Sequence, residues 1–405
     1  MKNILILGIY PPPYGGISTV ITNMIPTLKK NQYNIHLFSP GCEGESFAKK
    51  KLTVHKPSEK QLLSFQFLFS GSFIKFCLTL LKNGIPFFAL RRMLKISSWI
   101  YFLQKHILSR VEIDLICAFH LFDKGLSATI LGKQNHIPIV IVNLGEIYVE
   151  KLFYKENISA VKYITNNADE FISVSKHCSD SYITLGLTPD VNIIYSGVDQ
   201  NLYNLDVNSS KIKKKYGIDE HDFVVLFLGR MIYDMGLDYL LDTIPHIIRE
   251  NTSIVFLICG ARGELSDDVI QMSEKFVGRI HHEFNISFNE LPAYYSSADL
   301  VVVPTRDDRA CMGLAIKEAM FSGKPVIGNN VGGIPEAIVH DKTGLIIDTA
   351  DSELFASAIL GLEGDRSRLE RYGERAYLRA NALFGVEPSN AKYVEIFNNL
   401  TQGNM

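Results

Sequence analysis

The 405-residue sequence predicts two doubly wound α/β domains, each built on a parallel sheet. Three observations carry that reading. Short β-branched runs alternate with segments of helical period almost from end to end, as in right-handed βαβ units with helices on both sheet faces. The runs are too many for one comfortable sheet, and the polar stretch 201–215 offers a linker that divides the chain near residue 200. Apolar residues make up 47% of the chain and charged residues 21%, a globular composition with enough apolar surface for two cores.

Taken in order, residues 3–8, 35–39, 114–118, 138–143, 170–174 and 191–195 are expected as buried strands of the first domain, residues 1–200. Residues 223–228, 253–259, 300–304, 325–328 and 344–347 are expected as those of the second, residues 201–375. Helical period marks 17–30, 176–185, 237–250, 313–322 and 352–362 between them. Charged helices follow, and residues 376–405 are expected to pack back on the first domain. Two such domains facing each other would place their strand C-termini, and hence their ligand loops, along one cleft.

Residues 60–110 differ in composition. Lys60, Lys75, Lys82, Arg91, Arg92, Lys95, Lys105 and Arg110 have no acidic residue among them and interleave with aromatics that include Phe65, Phe67, Phe69, Phe87 and Trp99. That pattern suits an anionic membrane surface, where a well-placed cation contributes about 1 kcal/mol. It also suits core helices with solvated basic faces. No apolar stretch reaches the length of a spanning helix. A net charge of −2 gives no reason to expect nucleic acid as a partner. The six cysteines show no C-x-x-C pair, which argues against a disulfide framework or zinc site and fits the cytoplasm, with the inner face of the membrane as the expected place of work.

Three constellations suit phosphate chemistry. Tyr10-Pro11-Pro12-Pro13-Tyr14-Gly15-Gly16 lies between the first strand and a helix, where adjacent glycines admit a ligand close to the backbone and the helix start offers unpaired N–H groups. Gly229-Arg230 ends a strand, where a guanidinium can clamp a diphosphate. The third runs from Val301-Val302-Val303-Pro304 through a polar loop to Gly313-Leu314, at the head of a helix carrying Glu318. Amides at Gly313 and Leu314 could hold phosphate, and Glu318 could accept both hydroxyls of a ribose. Gly332-Gly333 would then supply a second backbone-lined edge.

From Pro304 through Glu336, with Gly229-Arg230 before and Gly344-Leu345-Ile346 after, the sequence resembles the retaining glycosyltransferase family 4. The likeness is specific over residues 223–350 and looser over the first half. It implies a GT-B fold of two Rossmann-like domains and a nucleotide-diphosphate sugar donor, with no cofactor and no metal at the reaction centre. It further implies that Glu318 holds the ribose, that Arg230, Gly313 and Leu314 hold the diphosphate, and that Gly15 and Gly16 face it. The acceptor side falls to the first domain, and the basic, aromatic stretch suggests a glycan or lipid-linked acceptor in cell-surface polysaccharide synthesis. His120, Glu146, Asp307, Asp308, Cys311 and Met312 are candidate sugar or acceptor contacts.

Three positions depart from the family pattern. The first Glu of its Glu-x7-Glu pair falls at Ala310, the diphosphate lysine at Met235, and a histidine after strand 138–143 at Leu144, with Glu146 nearby. A lost charge-assisted contact costs about 1.5–3 kcal/mol, which Arg306, Asp307, Asp308, Arg309 or Lys324 would have to offset. A non-catalytic nucleotide-binding partner or scaffold, and an epimerase-like enzyme, are therefore alternatives. His281-His282 reads as a loop or strand end near the nucleobase rather than a metal pair, because neighbours on a strand face apart.

Overall fold

The computed structural model describes residues 1–11, 15–41, 45–62, 71–348 and 351–402. Pro12, Pro13, Tyr14, Cys42, Phe65, Phe67 and Phe69 therefore lie outside the described residues. The chain divides into two compact units, residues 1–197 with 386–405, and residues 198–385.

The first unit is an eight-stranded sheet with strands β1 (Lys2–Leu7), β2 (Tyr33–Phe38), β3 (Phe47–Lys49), β4 (Leu52–His55), β5 (Leu115–Phe119), β6 (Ile139–Asn143), β7 (Glu170–Ser173) and β8 (Asn192–Ile193). Their order is β3-β4-β2-β1-β5-β6-β7-β8, and every pairing is parallel except that of β3 with β4. β5 and β6 are buried along their whole length, as a parallel sheet with both faces covered requires. The polar stretch around residue 50 makes the β3–β4 hairpin, which the sequence reading missed.

The second unit holds β9 (Phe223–Leu228), β10 (Ile254–Gly260), β11 (Ile280–Phe284), β12 (Leu300–Val303), β13 (Val326–Asn329) and β14 (Gly344–Ile347), all parallel in the order β11-β10-β9-β12-β13-β14. β11 is the strand whose histidines had suggested a loop or strand end. His281 stacks towards Tyr216, ring centroids 5.0 Å apart, while His282 meets the Ser273 hydroxyl at 3.0 Å. The pair thus faces apart.

One device recurs at the N-terminal edges of both sheets. Asp114, Asp169 and Asp299, each just ahead of a strand, accept the amides of Asn3, Ile139 and Val224 on the neighbouring strand at 2.6, 2.8 and 2.8 Å. These carboxylates satisfy backbone donors at the strand starts and reinforce register.

The helix Arg366–Leu383, N-capped by the Asp365 carboxylate, buries Leu369, Tyr372, Ala376 and Ala380 within the second unit. Residue 376 falls inside this continuous helix, so the division comes at 385, later than the sequence suggested. The last helix, Val386–Gln402, belongs to the first unit. There the Ser389 hydroxyl and Asn390 amide donate to the carbonyls of Tyr195 and Asn23, each at 2.8 Å, and the Tyr33 hydroxyl donates to Asn398 at 2.6 Å. Its own Tyr393 and Phe397 are buried.

Candidate functional site

In open α/β sheets, ligands bind outside the strand C-termini where the strand order reverses direction. In the second unit that point lies between β9 and β12, the strands that lead into Gly229-Arg230 and into the 304–313 loop.

Beyond β9, the amides of Gly229 and Met231 bond the carbonyls of Cys259 and Ala261, each at 3.0 Å. The extended alternation buries Met231 and turns Arg230 outward, where it is exposed. Arg230 has no carboxylate or hydrogen-bond partner among the described residues. The cations of the 304–313 loop are committed: Arg306 pairs with Asp238, and Arg309 with Asp307 and, at 3.0 Å, with Asp234. The guanidinium of Arg309 holds the Asp307 carboxyl below its usual range. Lys324 precedes β13, at the sheet edge opposite these loops, and burial lowers its pKa. None of these cations is as free as Arg230.

The helix Leu314–Phe321 opens at Gly313, whose φ of 67° suits glycine. No side chain caps it and its first turn carries no acid. The amides of Gly313, Leu314 and Ala315 have no partner outside the helix among the described residues. An uncapped helix start of this kind attracts an anion.

Glu318, 7% exposed, accepts a 2.8 Å hydrogen bond from the Tyr295 hydroxyl. The Tyr203 hydroxyl belongs to the same buried group, its ring edge-on to Tyr295 at 5.8 Å, but it makes no hydrogen bond of normal geometry. Burial raises the Glu318 pKa, and the tyrosine hydroxyls partly oppose that rise.

Two sequence expectations are corrected here. Gly332-Gly333 does not present an open edge: a Cβ at Gly332 would lie 2.1 Å from the Ala310 carbonyl, and one at Gly333 1.4 Å from that of Cys311. The pair buttresses the 304–313 loop through a 2.8 Å bond from the Gly333 amide to Ala310. Met312 is 2% exposed, so packing consumes the side chain proposed as a sugar contact. Asp308 is exposed and Cys311 half-buried on the loop. Met235, at the lysine position, packs against the apolar core of the unit. The sequence reading also overlooked Arg262, which follows β10 and stacks on Phe284, 4.1 Å from the ring centroid.

In the first unit the strand order reverses between β1 and β5. After β1, Gly15 and Gly16 start the helix Gly16–Lys30, and a Cβ at either would meet nothing within 4 Å. The Ser18 hydroxyl accepts the Gly15 amide at 2.8 Å. After β5, His120 holds a φ of 122°, and its Nδ1 is buried with no hydrogen-bond partner among the described residues. A non-glycine residue there carries strain of about 1–3 kcal/mol, typical of functional positions. Glu146 is not available as a contact: its carboxylate is buried and accepts the amides of Leu121 and, at 2.7 Å, Leu144. A cavity of about 260 Å³ lined by Lys133, His136 and Asp169 sits at the opposite, N-terminal ends of β6 and β7.

Known proteins share this architecture. The structure of HepE from Anabaena in complex with UDP-glucose superposes with a TM-score of 0.74 at 19% identity, covering 98% of this chain and all of that one. Two parallel-sheet α/β units of this topology give the fold of the GT-B class of glycosyltransferases. The family described as Glycosyltransferase Family 4 matches residues 14–202, and that described as Glycosyl transferases group 1 matches residues 208–379. The two matches take in most of the chain, which belongs to glycosyltransferase family 4. An uncharacterised glycosyltransferase of Methanocaldococcus jannaschii is 29% identical over 56% of this chain and 57% of its own length. The GDP-mannose-dependent alpha-(1-6)-phosphatidylinositol monomannoside mannosyltransferase of Mycobacterium tuberculosis is 28% identical over 53% of this chain and 58% of its own length. The chain thus spans little more than half the length of these two relatives.

Proposed function

We propose that the protein moves a sugar from a nucleoside-diphosphate donor to a glycan or lipid-linked acceptor, with retention of configuration, in cell-surface polysaccharide synthesis. Arg230 carries the proposal: it is an exposed guanidinium without a partner, at the switch point shared with the uncapped helix start at Gly313. Arg230 and the amides of Gly313 and Leu314 would bind the diphosphate, with Gly15 and Gly16 as a second phosphate-facing element. The Glu318 carboxyl would accept ribose hydroxyls, and Arg262 on Phe284 would offer a flat cationic face to the base. His120, Asp307, Asp308 and Cys311 are the remaining candidate contacts for sugar or acceptor.

As the bond from C1 to the diphosphate oxygen breaks, its electron pair leaves with the diphosphate. Preorganised amides and a guanidinium stabilise that growing charge without a metal or other cofactor. The acceptor oxygen attacks C1 from the same face, and its proton passes to the departing phosphate oxygen, so no protein nucleophile is needed. The work would fall at the inner face of the membrane, a peripheral association.

A second reading, a nucleotide-binding partner without turnover, is favoured by Met235 packed against the core and Ala310 at an acidic position of the family. Incubation with labelled nucleotide sugars and a membrane extract separates the two. Label in a glycan or lipid product, with the donor's anomeric configuration by NMR, supports transfer. Nucleotide binding with no label transferred would establish the partner reading instead.

A further inference from the structure

The helix Gly71–Lys82 is apolar on two faces. Phe76 and Leu80 are buried in the core of the first unit. Ile74, Leu78 and Leu81, spaced i, i+4 and i+7, form a second, exposed stripe. The elbow that follows adds Phe87 and Leu90, and these five side chains are 57–68% exposed. They are five of the 16 exposed large hydrophobic residues among those described, gathered within 17 positions, whereas exposed apolar residues scattered singly need no explanation.

Lys75, Lys82 and Arg91 border the stripe, all exposed, with no carboxylate partner among the described residues. The nearby acids are already engaged: Asp123 with Arg92 at 2.5 Å and Lys95 at 2.8 Å, and Glu150 with Arg92 at 3.0 Å. No acidic residue occurs between Glu59 and Glu112. Among the described residues no helix is long and apolar enough to cross a membrane.

We infer that this helix and elbow form a docking face for an anionic lipid bilayer, with Ile74, Leu78, Leu81, Phe87 and Leu90 seated among the acyl chains and Lys75, Lys82 and Arg91 at the headgroups. Charge selects this occupant over a second copy of the chain. A two-fold contact would bring the same three cations against themselves, whereas anionic headgroups neutralise them. The inference deepens the proposed function, resting on it only for the acceptor's place at the membrane.

The test is flotation of the intact chain with vesicles of phosphatidylcholine alone and with 30 mol% phosphatidylglycerol, at low salt. The wild type is expected to float with the anionic vesicles and not with the neutral ones. Leu78→Glu with Leu81→Glu is expected to abolish flotation, and Lys75→Gln, Lys82→Gln and Arg91→Gln each to weaken it about fivefold. All five positions are exposed, and an unchanged unfolding midpoint would show that the variants remain folded. Nucleotide binding is measured alongside, because the docking face lies outside the donor site. Retained nucleotide binding without flotation would overturn the docking face and leave the proposed function standing. Flotation that the paired glutamates do not reduce would also overturn it. So would a wild-type dimer that the same pair converts to monomer, since the face would then belong to a second copy.

Discussion

Replacing Arg230 by alanine separates a ligand-binding cation from a structural one. Arg230 is exposed and unpartnered, so its removal leaves no buried charge behind and should change stability by no more than about 0.5 kcal/mol. If it grips the diphosphate, the variant loses charge-assisted hydrogen bonds worth about 1.5–3 kcal/mol. That corresponds to a dissociation constant raised roughly 10- to 150-fold. At a nucleotide concentration of a hundred wild-type dissociation constants, binding stabilises the wild type by about 2.7 kcal/mol. A thirtyfold weaker variant would retain only about 0.9 kcal/mol. Calorimetric titration with nucleoside diphosphate and with free nucleoside supplies the control, because only the diphosphate should lose affinity. Equal diphosphate affinity in variant and wild type, or an equal loss for the nucleoside, would refute the assignment.

Four further outcomes are expected. Burial raises the Glu318 pKa above its ordinary 4.5, so the unfolded chain gives up this proton first as pH rises. The contribution of Glu318 to stability therefore falls from that pH up through the folded pKa. Glu318→Gln should remove this part of the pH profile, and should weaken nucleoside binding most at high pH, where the wild-type carboxylate is ionised. Burial, with the nearby His36 and His106, lowers the pKa of His55 to about 4, so stability from its neutral form should be lost as pH falls from about 6.5 towards 4. His55→Gln should flatten that limb in urea titrations. Glu146→Ala strips a buried acceptor from two backbone amides and should cost about 2–4 kcal/mol in chemical denaturation. His120→Gly relieves the φ of 122°, so it should leave stability unchanged or raised while lowering transfer of label from the donor.

The sequence made the parallel strands legible because they are buried on both faces and read as continuous apolar runs, as in Phe223–Leu228 and Ile139–Asn143. β11 escaped because it is an edge strand whose Ile280 is its one fully buried side chain. The β3–β4 hairpin escaped for a similar reason, its β3 being largely exposed. Gly229-Arg230 and Gly313-Leu314 could be read locally, since a strand end and a helix start are sequence features. What Gly332-Gly333, Glu146 and Met312 do could not. Their roles depend on the backbones of Ala310 and Cys311, the amides of Leu121 and Leu144, and a packed interior. Arg262 gained meaning only when β11 brought Phe284 beneath it.

Thermal unfolding of the purified protein and of Glu318→Ala, against UDP, GDP and CDP and their common sugars, tests the donor site most directly. One nucleotide should raise the midpoint of the wild type, by the equivalent of about 2.7 kcal/mol at a hundred times its dissociation constant. The variant should lose that shift. A wild type that none of these nucleotides or nucleotide sugars stabilises would contradict a nucleotide-sugar site at Arg230, Gly313 and Glu318.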